Sequence, residues 1–431
     1  LMKEIYLTNA RIIDPKNNLD EIGGLIIDSK GSIKAVGKKV ANGNLPSSAD
    51  KIDLNKNVLI PGVVDMRVFV GEPGYEYKEN FRTLSNAALS GGVTSVVSMP
   101  NTSPTIDNVS MVDFLKRRGR DKSKINIFPA ATLTKNAEGK QMTEFGLLKR
   151  KGIIAFTDGV KTVQDPQVMA RIMNFASQSE SLIMQHAEDN ILARDGLINE
   201  GEISTRLGLK GIPFLAEKII VERDLSFLEE YFCRYHISQI SSAKTVSVIK
   251  KAKKDGKIFT TGVSINNLSL NENDIGDFKT FLKLSPPLRT EKDRLALVES
   301  VNDGTIDVIV SDHKPQDEES KRLTFAQAAT GATGVETLLP LALELFHNKS
   351  IKLKQLIAAV TSNPAKILGI NKGNLDRGND ADLCILDINK PWIVNKEKLK
   401  SKSKNTPIEN RKLQGQVLKT FVKGQLAYES I

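Results

Sequence analysis

"VLIPGVVDMRVFV", residues 58–70, is an apolar run broken only by Asp65 and Arg67. A short, β-branched, nearly continuous apolar segment reads as a strand buried on both faces, the kind found in parallel sheets covered by helices. Alternate side chains of a strand share a face, so Asp65, Arg67 and Phe69 all turn to the same side. An arginine facing inward must find a counter-charge, or it costs several kcal/mol. The run therefore predicts both a class of fold and a partner for Arg67.

Downstream the same pattern recurs. The further strand readings are "VTSVVSMP" (93–100), "INIFPAATLT" (125–134), "GIIAFTD" (152–158), "SLIMQHAED" (181–189), "YHISQIS" (235–241), "IFTTGVS" (258–264) and "IDVIVSD" (306–312). Amphipathic segments lie between most of them, such as "NFRTLSNAALSGG", "DPQVMARIMNFASQS" and "SAKTVSVIKKAKKDG". Eight strands alternating with helices across residues 58–312 predict an α/β protein built on a (β/α)8 barrel, a TIM barrel, placed at residues 58–371. In that fold the chemistry gathers at the C-terminal ends of the strands. Polar residues cluster there: Asp65 and Arg67, Asn101, Asp158, His186 and Glu188, His236 and Gln239, Asn266 and Asn267, Asp312 and His313. The two chain ends, residues 1–57 and 372–431, alternate instead like short hairpin strands and predict one small β-sandwich assembled from both.

At 431 residues and 40% hydrophobic, the chain can bury a large core. Its two cysteines, Cys233 and Cys384, fit neither zinc nor disulfide spacing and suit a reducing compartment. No apolar run approaches the roughly 18 residues of a membrane span, and no signal-peptide pattern follows Met2, so a soluble cytoplasmic protein without a membrane partner is expected. The net charge of +10 comes largely from "KRRGRDKSK" (116–124), "KKAKKDGK" (250–257) and "NKEKLKSKSK" (395–404). These runs lack interleaved aromatics and read as solvated lysine faces, so no nucleic-acid partner is expected. An acidic protein surface remains open as a partner. Histidine is scarce: His186, His236, His313 and His347 are the full set.

In order and spacing, "PGVVDMRVFVGEPGYEYKE", "GGVTSVVSMPNTSPTID", "HAED", "SPPLR", "IDVIVSDHKP", "GATGVET" and "NPAKILGI" resemble a dihydroorotase, a cyclic amidohydrolase, over nearly the whole chain. The resemblance implies an amidohydrolase barrel with one or two zinc ions at its mouth. A zinc-bound hydroxide would attack a ring amide while an aspartate handles the proton. It also maps the ligand positions. The His-x-His pair that ends strand one falls on Arg67 and Phe69, and the sixth-strand ligand falls on Gln239. Asp158, His186 and Asp312 keep the remaining ligand positions, and Asp312 is also the vestigial proton shuttle. Among substrate contacts, Asn101 and Arg289 persist. The arginine that grips the substrate carboxylate has become Gly71, the asparagine before "PPLR" has become Ser285, and the last histidine of a "DHAPH" pattern has become Gln316. A seventh-strand histidine falls among Ile265, Asn266 and Asn267.

Three of the six ligand positions are therefore gone. The expectation is a dihydroorotase-like protein of pyrimidine synthesis that lacks catalysis, carries no cofactor and serves as a structural or regulatory partner of aspartate carbamoyltransferase, as a possible homodimer. The alternative is an active dihydroorotase or related cyclic amidase, acting on dihydroorotate, a hydantoin or allantoin through an atypical zinc site. In the first reading Arg67 occupies the lost metal's space and pairs with Asp312, Asp158 or both, and Phe69 plugs the rest. Left without a metal, the two carboxylates would repel and one would take up a proton. His236 is expected to hydrogen-bond backbone, and His347 to sit at a helix C-terminus.

Overall fold

The protein is described by a computed structural model covering residues 3–41 and 49–430. The opening run, read above as one strand, is two. Val58–Pro61 belongs to an end-domain sheet, where it pairs parallel with Ile5–Asp14 and antiparallel with Leu383–Ile393. After Gly62 the chain enters the barrel as Val63–Val68. A Cβ at Gly62 would lie 2.1 Å from Thr94 Oγ1, so only glycine lets the chain pass that closely between the two layers. The barrel thus begins at Val63, and the boundary set at residue 58 moves to Gly62.

The barrel closes through eight parallel positions. Val63–Val68, Val93–Ser98 and Asn126–Pro129 form one arc; Leu182–Gln185, Arg234–Ile237, Thr260–Ser264 and Val308–Val310 form the other. Single parallel bridges join them, Ala131↔Phe156↔Ile183 on one side and Val68↔His313 on the other. The fourth position is only that bridge at Phe156, not the extended strand expected over 152–158. Phe156 stacks on Phe145 with ring centroids 3.9 Å apart, anchoring the segment without a ladder. The expected helices are present as Phe81–Ser90, Pro166–Ser179 and Ala243–Lys254, N-capped by Asn80, Asp165 and Ser242.

Strands from the two chain ends build one hydrogen-bonded sheet of eight, in which Leu383–Ile393 and Lys412–Val422 continue the N-terminal strands through Val58–Pro61. Its buried residues, among them Leu7, Ile12, Leu25, Leu59, Leu383 and Phe421, form a core separate from the barrel's. Neither end could bury this face alone.

Candidate functional site

The mouth is built at the strand ends. Arg67 is 1% exposed, and its Nε donates to Asp312 Oδ1 at 2.9 Å. Its two terminal nitrogens both donate to the Gly159 carbonyl at 3.3 Å. The guanidinium carbon lies 5.3 Å from the centroid of the Phe69 ring. Asp312 reaches this position from a left-handed backbone, φ 51°, just past Val308–Val310. Burial raises the Asp312 carboxyl, and the Arg67 guanidinium opposes that rise.

Asp158 takes no part in the pair. Its Oδ2 accepts from Thr134 Oγ1 at 2.6 Å and its Oδ1 from Thr134 N at 3.0 Å. Burial still pushes it up to about 6. Of the two partners foreseen for Arg67, only Asp312 is used, because Thr134 already occupies both oxygens of the other. What raises Asp158 is loss of water more than repulsion by Asp312, which is not among its causes.

His186, at the end of Leu182–Gln185, is buried with neither ring nitrogen bonded to protein. Burial, with the charges of Arg67 and Lys314 behind it, lowers its pKa to about 3, so the ring is neutral. Gln239 neighbours Asp312 and donates from Nε2 to the Ser285 carbonyl at 3.1 Å, leaving Oε1 without a partner. Asn101 donates to the Asp158 carbonyl at 3.0 Å, and its Oδ1 is likewise unpartnered. Arg289 is committed elsewhere, to Ser241 Oγ at 2.7 Å, Asn199 Oδ1 at 2.8 Å and the Ile212 carbonyl at 3.1 Å. No hydrogen bond joins it to Asn101 among the described residues.

The remaining histidines have structural bonds. His236 pairs through Nδ1 with the Thr260 hydroxyl at 2.8 Å, a side chain rather than the expected backbone group. His313 accepts from Gly334 N at 3.1 Å and lies 3.4 Å from Glu79 Oε2. His347 ends the helix Leu338–His347, as expected, and bonds the Ile388 carbonyl at 2.7 Å. The segment Ile265–Ser269 is a short helix, with Asn267 donating to the Pro287 carbonyl at 3.0 Å.

The comparisons with known proteins can be set beside this geometry. The family described as "Dihydro-orotase-like" matches residues 56–245, and "Amidohydrolase family" matches residues 301–428. A dihydroorotase of Ehrlichia canis is 42% identical, covering 98% of this chain and 94% of its own length. One from Syntrophus aciditrophicus is 41% identical over 99% of each. The chain belongs to the dihydroorotase family. Among solved structures, the L-hydantoinase (dihydropyrimidinase) of Arthrobacter aurescens superposes with a TM-score of 0.89 at 22% identity, over 100% of this chain and 96% of that one. The dihydropyrimidinase of Brevibacillus agri gives 0.84 at 20% identity, over 99% and 95%. Both establish the barrel and its sheet domain.

For a dihydroorotase-family mouth, the donor set does not fit zinc. Where the resemblance would put the first two ligands there are a guanidinium and a phenyl ring, Asp312 is bonded to the former, and Asp158 is turned to Thr134. Among the described residues no three His, Cys, Asp or Glu converge as ligands. Gly71 offers no room for an arginine either: φ is 74°, and a Cβ would lie 2.7 Å from the Glu79 carbonyl and 2.8 Å from that of Tyr75.

Two features escaped the sequence reading. Lys314 enters the mouth with its Nζ 5.5 Å from the Phe69 centroid; the signal was present, since a lysine interrupts the "DHAPH"-like pattern. The "NKEKLKSKSK" run is not simply a solvated lysine face. Ser401, Ser403 and Asn405 are buried. Ser401 bonds Glu79, Lys400 N and Ser401 N donate to Glu336 at 2.7 and 3.0 Å, and Asn405 spans Gln316 N and the Gly331 carbonyl at 3.1 and 3.0 Å. Lys398, Lys400 and Lys402 stay outside while the alternate serines bond to the barrel loops.

Proposed function

We propose that this chain is a dihydroorotase-family protein of pyrimidine biosynthesis that no longer hydrolyses dihydroorotate, and that it acts as a structural or regulatory partner of aspartate carbamoyltransferase. The observation that carries this reading is the Arg67–Asp312 pair at 2.9 Å, both groups buried. A carboxylate that must collect a proton during ring opening needs an open lone pair and a pKa near working pH. Here the oxygen accepts from a permanent cation, and releasing it would leave a buried guanidinium unpaired. The missing arginine clamp at Gly71 removes orientation as well as charge.

The scaffold persists over the full length of its relatives while its chemistry is altered, and barrels outlast the reactions they once carried. An atypical zinc site on this chain would need Asp312 released from Arg67 and Asp158 from Thr134.

The test has two arms. Metal content and dihydroorotate turnover are measured on the purified protein with added zinc; no turnover is expected, and turnover that vanishes in Asp312→Ala would refute the loss of activity. The chain is then mixed with the aspartate carbamoyltransferase of the same cell and sized. Co-elution is expected; separate elution at micromolar concentrations would remove the partnership.

A further inference from the structure

The helix Phe214–Phe227 has an outer face unlike that of the helix packed beside it. Its inner side packs on the barrel through Ala216, Ile220, Val221 and Leu225. On the outer side Phe214 is 37% exposed, and Leu215 and Ile219, one turn apart, are each 42% exposed. The neighbouring helix Ala243–Lys254 instead exposes Lys244, Ser247, Lys251 and Lys254. A helix that is apolar all round belongs in a place covered on both sides, and the barrel covers only one side of this one.

A separate segment enlarges the same patch. Asp189 N donates to the Ala216 carbonyl at 2.8 Å, which seats the turn after Leu182–Gln185 against the start of this helix. Asp189 Oδ1 in turn accepts from Ile191 N and Leu192 N, both at 2.9 Å. The side chains of that turn, Ile191 and Leu192, are 68% and 39% exposed. Single exposed aliphatic residues are ordinary, but five large apolar side chains gathered in one place are not. They present on the order of 400 Å² of apolar surface, enough for the centre of an interface that buries roughly 800 Å² on each partner.

Charge decides what covers the patch. Its edges carry pairs of opposite sign, Lys218 with Glu222 at 2.7 Å and Lys210 with Asp195 at 3.7 Å. A surface that meets its own copy across a two-fold axis must carry both signs, or like charges are brought together. An acidic partner would be drawn instead to the basic runs 116–124, 250–257 and 395–404, which lie on other segments. We propose that two copies of this chain pair through the outer face of Phe214–Phe227, with Leu215 of each copy packed on Ile219 of the other. Phe214, Ile191 and Leu192 surround that centre, and the charged pairs form a polar rim. The pairing goes beyond the partnership proposed above and does not depend on it.

The experiment is sedimentation equilibrium of the purified full chain, alone, at micromolar concentrations. A dimer is expected, and Leu215→Arg and Ile219→Arg should each weaken it about tenfold or more, as changes at the centre of an interface do. Both positions are exposed and arginine is a good helix former, so the fold should hold, which circular dichroism and thermal unfolding check. Phe232→Ser, which removes an 84% exposed ring beyond the far end of the helix, should leave the dimer unchanged. A monomeric wild type, or a dimer that survives both arginine variants, overturns the proposal. So does a dimer broken by Phe232→Ser and not by Leu215→Arg. Association seen only with aspartate carbamoyltransferase, and lost in Leu215→Arg, would give this face to that enzyme and overturn the dimer while upholding the partnership.

Discussion

The turn after the eighth barrel strand and the end of the fifth hold equivalent kinds of residue in opposite circumstances. At the eighth, Asp312 is paired with Arg67, and His313 takes a backbone N–H on one nitrogen and faces Glu79 with the other. At the fifth, His186 is equally buried and bonded to nothing through its ring. One region has been absorbed into the hydrogen-bond network that holds the fold; the other keeps a side chain whose bonds the protein does not supply. Burial therefore does not distinguish these two histidines, whereas their bonds do: one ring is held by a backbone N–H and the other by none.

The largest test of this contrast is Arg67→Met. It leaves the Asp312 carboxyl buried without its counter-charge and should cost about 3–5 kcal/mol in denaturant unfolding. Adding Asp312→Asn, which removes the charge and tolerates the left-handed backbone there, should recover most of the loss; a double variant no more stable than the single would show that the pair does not act as a unit. Next, His313→Leu removes the acceptor of a buried Gly334 N–H and the neighbour of Glu79, for a loss of about 2–3 kcal/mol.

Asp158 sharpens the comparison through pH. Its folded pKa, about 6, lies above its value of 3.8 in an unfolded chain, so the folded state holds the proton more tightly. That contribution is fully present below pH 4 and is lost as pH rises through 6. Asp158→Asn should thus raise stability at pH 7 by on the order of 2 kcal/mol and reduce the fall between pH 4 and 6. Some of the slope should remain, because Asp65 is also pushed up to about 6 by burial. An unchanged slope would mean that Thr134 keeps Asp158 ionised. The smallest effect belongs to His186→Leu, a volume-conserving change that removes two unpartnered nitrogens and should shift stability by less than about 1 kcal/mol. If it costs as much as His313→Leu, the distinction between the two regions fails.

Much of the fold was legible because its signals are local. Apolar strands, amphipathic helices and caps such as Asn80 and Ser242 depend on residues a few positions apart. The break at Gly62 was not, since nothing nearby in sequence announces that Thr94 will stand against it. The serines of "KSKSK" were lost among their lysines for the same reason: the partners of Ser401, Glu79 and Glu336, and that of Ser403, the Lys78 carbonyl, lie far away in sequence.

By itself the sequence determined the barrel, the shared end domain and the inward face of the first barrel strand that carries Arg67 and Phe69. It also determined that Arg67 needed an anion, since no inward-facing guanidinium is stable alone. Only the tertiary structure decided which anion. Thr134 had both oxygens of Asp158, and the left-handed turn at Asp312 brought the other carboxylate to 2.9 Å. Composition fixes which charges must be balanced, but distance in the folded chain chooses how.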